Sequence, residues 1–184
     1  MNPRLTLICH AATAATCAAA FPADEAIEPA AEEVAAALAR RIDPVDRAWM
    51  SPALAARQTA AALGLDAMSE PALRDCAFGR WTGRRLADVA AEDAKDLATW
   101  LADPAVAPHG GEALDAVRAR VATWLQARVA DKGHAVAVTH GSVMRAAVLA
   151  VLDAPAGAFW RVDVEPLGII ALGSDGKRWT LRVR

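Results

Sequence analysis

No apolar run in this 184-residue chain approaches the roughly 18–20 residues that a membrane span needs, so a membrane-spanning helix is not expected. An excess of charge of either sign is also lacking. A formal net charge of −2 gives no general attraction to nucleic acid or to an anionic membrane surface. Three cysteines, Cys9, Cys17 and Cys76, form neither a CxxC pair nor an even framework, which excludes a disulfide scaffold and fits a reducing cytoplasm. There is no internal repeat and no low-complexity linker. A secretory leader has an outline here, with Arg4 followed by apolar residues and alanines, but His10, Thr13 and Thr16 interrupt it. A buried strand is the better expectation for that segment.

What remains is alanine-rich and 55% hydrophobic, long enough for one folded unit spanning 1–184 with a proper core. The pattern alternates short apolar runs with helical periodicity. Strands are predicted over residues 4–9, 47–50 and 135–139. Helices are predicted over 32–41, with Val34, Leu38 and Ile42 inward, and over 52–63, capped by Ser51 and stopped by Gly64. Further helices are predicted over 86–91, 92–102, 112–130 and 142–152; the long one places Leu114, Val117, Val121, Leu125 and Val129 on its inner face. Residues 69–83 read as irregular. The end reads as antiparallel strands over 159–164, 169–172 and 179–183. This order predicts an α/β fold, a three-layer α/β/α sandwich whose mostly parallel central sheet carries antiparallel C-terminal strands. The helices near 84–108 form a small cap.

Two histidines stand out. His10 follows Leu5-Thr6-Leu7-Ile8-Cys9, and His140 follows Ala135-Val136-Ala137-Val138-Thr139. Side chains at the carboxyl ends of parallel strands line the crevice where ligands bind in such folds, so residues 130 positions apart can share a site. Imidazole suits nucleophilic or proton-transfer work near neutral pH. A pair of ordinary loop histidines is the plain alternative.

Five segments, in order, resemble the histidine phosphatase superfamily, the phosphoglycerate mutase-like proteins. Residues 5–13 sit where that family has a strand followed by Arg-His-Gly-x-Thr. Ser51-Pro52 through Ala56, Gln58, Thr59 and Ala60 is similar to its Ser-Pro-Leu-x-Arg-Ala-x-Gln-Thr-Ala helix. Residues 73–83 resemble Leu-x-Glu-x-x-Phe-Gly-x-Trp-Glu-Gly, Gly110-Gly111-Glu112 its Gly-Gly-Glu turn, and Val138-Thr139-His140-Gly141 with Arg145 its second histidine motif. The resemblance implies a phosphomonoester hydrolase acting on a small phosphorylated metabolite through a phosphohistidine, without a cofactor. His10 matches the nucleophile, His140 the second pocket histidine, and Asp75 stands where the family has the Glu that protonates the leaving group. Thr13 matches a hydroxyl near the phosphate, Thr16 replaces the usual Asn, and Ser142 and Cys9 complete the expected substrate contacts. Trp81 and Trp100 are candidates for contact with an organic substrate.

Two departures bear on activity. Cys9 replaces the arginine before the nucleophile, and Ala55 replaces the arginine of the Ser-Pro helix. Each hydrogen bond to a charged group contributes about 1.5–3 kcal/mol, so losing two costs on the order of 3–6 kcal/mol, or two to four decades in rate or affinity. Arg57 is directed elsewhere on its helix; Arg80, Arg84 and Arg85 border the expected pocket or form a solvated basic face. Arg145 reads as structural, His109 as an exposed loop residue, and His134 has no evident role. Two other readings stay open: a non-catalytic relative that binds a ligand or partner in the pocket, and a Cys/His metal site built on Cys9, Cys17 and Cys76.

Overall fold

The apolar runs become the strands of one six-stranded sheet in order β3-β2-β4-β1-β5-β6. The structure is a computed structural model that describes residues 2–183, so the two end residues of the expected 1–184 unit lie outside the described residues. Strands β1 (Arg4–Cys9), β2 (Arg47–Met50), β3 (Ala67–Ser69) and β4 (His134–Thr139) are parallel, whereas β5 (Ile169–Ser174) and β6 (Trp179–Arg182) run antiparallel at one edge. Between them lie α1 (Ala14–Ala18), α2 (Pro29–Ala39), α3 (Leu54–Ala62), α4 (Leu86–Glu92), α5 (Ala94–Ala102), α6 (Leu114–Gln126) and α7 (Gly141–Leu152).

Side chains alternate across a strand, and the central strands are buried on both faces. Leu5, Leu7, Cys9, Ala135 and Ala137 point into a large core with Val117, Val121 and Leu125 of α6 and Met144 of α7. Ile8, Val136 and Val138 point the other way, against Ala56 and Ala60 of α3. The result is the expected three-layer α/β/α arrangement.

Four local expectations need correction. Residues 159–164 form no strand: Ala156–Arg161 is a 3-10 helix whose Phe159 is an anchor in the core, and β1 takes β5 as its antiparallel neighbour instead. The first long helix starts earlier, at Pro29, where proline's fixed φ suits the first helical position. Its buried face is Ala31 and Ala35, and Val34 is 58% exposed. Small residues allow α2 to lie close against its neighbour. Helix α3 begins at Leu54, because Ser51 Oγ accepts from Ala53 N–H and Asp24 Oδ1 from Leu54 N–H. Finally, α1 and β3 are absent from the sequence reading; each is too short to carry a period.

Candidate active site

The meeting of the two histidines follows from backbone register. β1 and β4 pair in parallel with Cys9 opposite Thr139, so the next residue of each strand is a histidine at the same level of the pleat. His10 N–H extends the ladder by donating to Thr139 O at 2.8 Å. Adjacent strands lie about 4.8 Å apart, and the two ring centroids are 5.1 Å apart with an interplanar angle of 64°.

The His10 ring is fixed by its own loop. Its Nδ1 lies 2.8 Å from Ala11 O, a carbonyl that can only accept, so the proton sits on Nδ1 and the lone pair on Nε2. Ala11 N–H in turn donates to Thr59 Oγ1 at 2.9 Å, and the Thr59 hydroxyl donates to Ala55 O at 2.7 Å. A buried threonine on α3 thereby holds the residue whose carbonyl orients the imidazole. In the sequence Thr59 shows only as part of the Ser-Pro helix motif, with no sign of this role.

His140 is held differently. Its Nε2 lies 2.8 Å from Ser51 Oγ, which already accepts from Ala53 N–H. The single Ser51 hydroxyl hydrogen donates to Nε2, which leaves the imidazole proton on Nδ1, the nitrogen that faces the Asp75 oxygen. That nitrogen is buried without a hydrogen-bond partner; Asp75 Oδ2 faces it at 3.6 Å, too far for a hydrogen bond. Burial pushes the His140 pKa down to about 4 despite the opposing carboxylate of Asp75, so the ring is neutral at pH 7.

Asp75 comes from the segment before the 3-10 turn Gly79–Trp81. Its Oδ1 accepts from Cys76 N–H and from the Ser142 hydroxyl, leaving Oδ2 toward His140. Two clamps place this segment. Thr139 Oγ1 donates to Leu73 O at 2.8 Å, and Arg120 of α6 donates to Ala72 O and Asp75 O while forming a two-pronged pair with Glu112. Gly111 lets the neighbouring loop cross so close to Ala77 that a Cβ there would collide with the Ala77 carbonyl.

A cavity of about 390 Å³ opens beside these groups, lined by His10, Thr13, Ala55, Arg74, Asp75 and His140 together with Asp24 and Glu25. The Ala55 methyl stands in the wall where an arginine was expected to be missing. Arg74 is the one guanidinium among the described lining residues. It pairs with Glu112 at 2.9 Å, but that carboxylate is shared with Arg120, so two cations face one anion. Sequence reasoning overlooked Arg74, Asp24 and Glu25, and only a three-dimensional contact reveals them.

The remaining candidates are dispersed. Thr13 lines the cavity, yet its hydroxyl donates to Glu25 Oε1 at 2.9 Å. The Thr16 hydroxyl closes a capping box with the Thr13 backbone. Cys9 is buried on the other side, and desolvation pushes its thiol up to about 12, as it does for Cys76. Cys17 is exposed on α1, and among the described residues no three His, Cys, Asp or Glu side chains are placed to hold a metal ion. The reading as a Cys/His metal site finds no ligand set there, since Cys9 and Cys76 are buried in the core and Cys17 is exposed.

Arg80 pairs with Asp96 and Asp93, and Arg84 with Glu92 and Asp93; Arg85 stays exposed, so none of the three lines this cavity. Arg145 donates to Val162 O. His109 is not exposed but 1% accessible, accepting from Gly111 N–H amid Trp81 and Trp100. His134 is buried between Thr6 Oγ1 and Pro44 O. Trp81 is fully buried and donates to Asp93, while Trp100 borders a second cavity. Among the described residues no helix is long and apolar enough to cross a membrane.

Known proteins share both the sequence pattern and the fold. A Mycobacterium tuberculosis protein described as bifunctional is 30% identical over 137 residues, which are 72% of this chain and 36% of that protein. The adenosylcobalamin/alpha-ribazole phosphatase of Escherichia coli is 31% identical over 117 residues, 61% of this chain and 57% of the enzyme. The chain thus matches only part of the length of each. The crystal structure of a putative alpha-ribazole-5'-P phosphatase from Escherichia coli superimposes with a TM-score of 0.87 at 27% identity, covering 100% of this chain and 96% of that one. The sequence profile of the histidine phosphatase superfamily (branch 1) matches residues 5–184, and the chain belongs to that family.

Proposed function

We propose that this chain is a phosphomonoester hydrolase whose reaction passes through a phosphohistidine on His10. The observation that carries the reading is the His10 ring, its Nδ1 committed to Ala11 O at 2.8 Å and its centroid 5.1 Å from that of His140. In the first half-reaction the Nε2 lone pair attacks phosphorus and the bond from phosphorus to the ester oxygen breaks. Asp75, in its acid form, gives its proton to the departing alkoxide. In the second, water attacks phosphorus, Asp75 takes a proton from it, the N–P bond breaks and inorganic phosphate leaves. The unpartnered His140 Nδ1–H and the Arg74 guanidinium are the donors for the equatorial oxygens. Ser142 holds the Asp75 carboxyl, Thr13 lines the cavity, and Thr16 and Cys9 line its apolar neighbour. Helices α4 and α5 act as a cap on a single unit spanning 1–184. The likeness to a phosphatase of Escherichia coli supports the reaction class.

Acid-labile phosphate should appear on His10 during turnover of p-nitrophenyl phosphate, and His10→Ala should abolish both label and turnover. Turnover that survives His10→Ala would overturn the assignment. A second reading, a ligand-binding relative without turnover, draws on Ala55 in the cavity wall and on the carboxylates Asp24 and Glu25 beside it. Restoring guanidinium with Ala55→Arg should raise kcat/KM by about ten- to a hundredfold, the size of one charge-assisted hydrogen bond. No gain in a folded variant favours the binder.

A further inference from the structure

We infer that the ester cleaved here carries a bulky apolar, aromatic alcohol, seated in a second cavity that adjoins the first. This rests on the phosphatase reading and names the substrate class for the same site. The second cavity, of about 700 Å³, shares His10, Pro22 and Asp75 with the first, whereas His140, Thr13 and Arg74 line the first alone. A phosphoryl group between His10 and His140 therefore leaves its ester oxygen at Asp75, the acidic group common to both spaces, and the alcohol continues into the second.

The walls there set the chemistry. Leu86 of α4, Leu97, Trp100 and Leu101 of α5, Phe21 and Trp160 supply large apolar surface. Leu86, Leu101 and Trp160 are 45%, 47% and 37% exposed, and converging exposed apolar side chains mark a binding surface. The Trp100 and Trp160 rings meet edge to face with centroids 4.8 Å apart, and Trp100 is backed by Phe21 and by Trp81. A flat ring finds a stiff aromatic wall in this place. Hydrogen-bonding groups for a sugar or polyol are scarce. Arg145, the guanidinium of this cavity, already donates to Val162 O and lies over the Phe159 ring.

The test compares two phosphate esters of primary alcohols, 2-naphthylmethyl phosphate and glycerol 1-phosphate. Apolar burial of the naphthyl group should raise kcat/KM about a hundredfold over glycerol phosphate, and Leu101→Asp should cut that ratio at least tenfold. A ratio near one overturns the inference. Binding of the phosphate-free alcohol, 2-naphthylmethanol, is followed in parallel by tryptophan fluorescence of the His10→Ala protein. Saturable quenching that Leu101→Asp weakens supports the apolar site even where turnover is missing and the phosphatase reading falls. Absent quenching at millimolar alcohol overturns the site itself.

Discussion

Thr59 shows how one hydroxyl can govern a nucleophile it never touches. It accepts from Ala11 N–H and donates to Ala55 O, and the Ala11 carbonyl then holds His10 Nδ1. Thr59→Val keeps the shape but leaves a buried N–H unpaired, a loss of about 1–3 kcal/mol. We expect kcat to fall about tenfold with KM little changed, the nitrogen NMR signals of His10 to show a mixture of tautomers, and Thr59→Ser to restore both. A purely structural role would leave the tautomer signals alone. At this scale the sequence discloses residue types and not their partners: His10, His140 and Asp75 are visible beside recognisable motifs, while Arg74 and Glu25 enter the cavity only through contacts distant along the chain.

Elements are placed by a few clamps. Arg120 ties α6 to the Asp75 segment through two carbonyls and Glu112, with both charged side chains nearly enclosed at 13% and 11% exposure. Lysine cannot reproduce that fork, so Arg120→Lys should lower unfolding free energy by about 3 kcal/mol and slow turnover by releasing Asp75. Urea denaturation and kcat measure the two effects. Helical and strand periodicity made β1, β2, β4 and α6 legible in the sequence because each has a consistent buried face. It misled over residues 159–164, where Phe159, Val162 and Val164 are apolar for packing against the core and not for pairing in the sheet. It also put Val34 on the inner face of α2, where Leu38 and, just past the helix end, Ile42 do pack against the core but Ala31 and Ala35 are the buried residues and Val34 is left outside.

For the whole molecule the buried histidines set a pH limit. His140 has a folded pKa of about 4 against an ordinary 6.5, and desolvation lowers His109 in the same direction. As pH falls below 6.5 the unfolded chain takes up protons that the folded chain refuses. The stability is therefore complete above pH 6.5 and is lost progressively down to about pH 4, by about 3 kcal/mol for His140 alone. Urea midpoints at pH 7.5 and 4.5 should differ accordingly, and His140→Gln should flatten the difference.

The parallel ladder from Cys9–Thr139 onward has one more implication. Because main-chain bonding fixes the gap between the imidazoles, the surroundings are free to drift while the pair itself stays in place. An arginine exchanged for alanine at position 55 retunes anion capture without disturbing the nucleophile. A single residue inserted between β4 and His140 would do the opposite: the other groups around the anion would stay in place, and the reaction would lose its second ring.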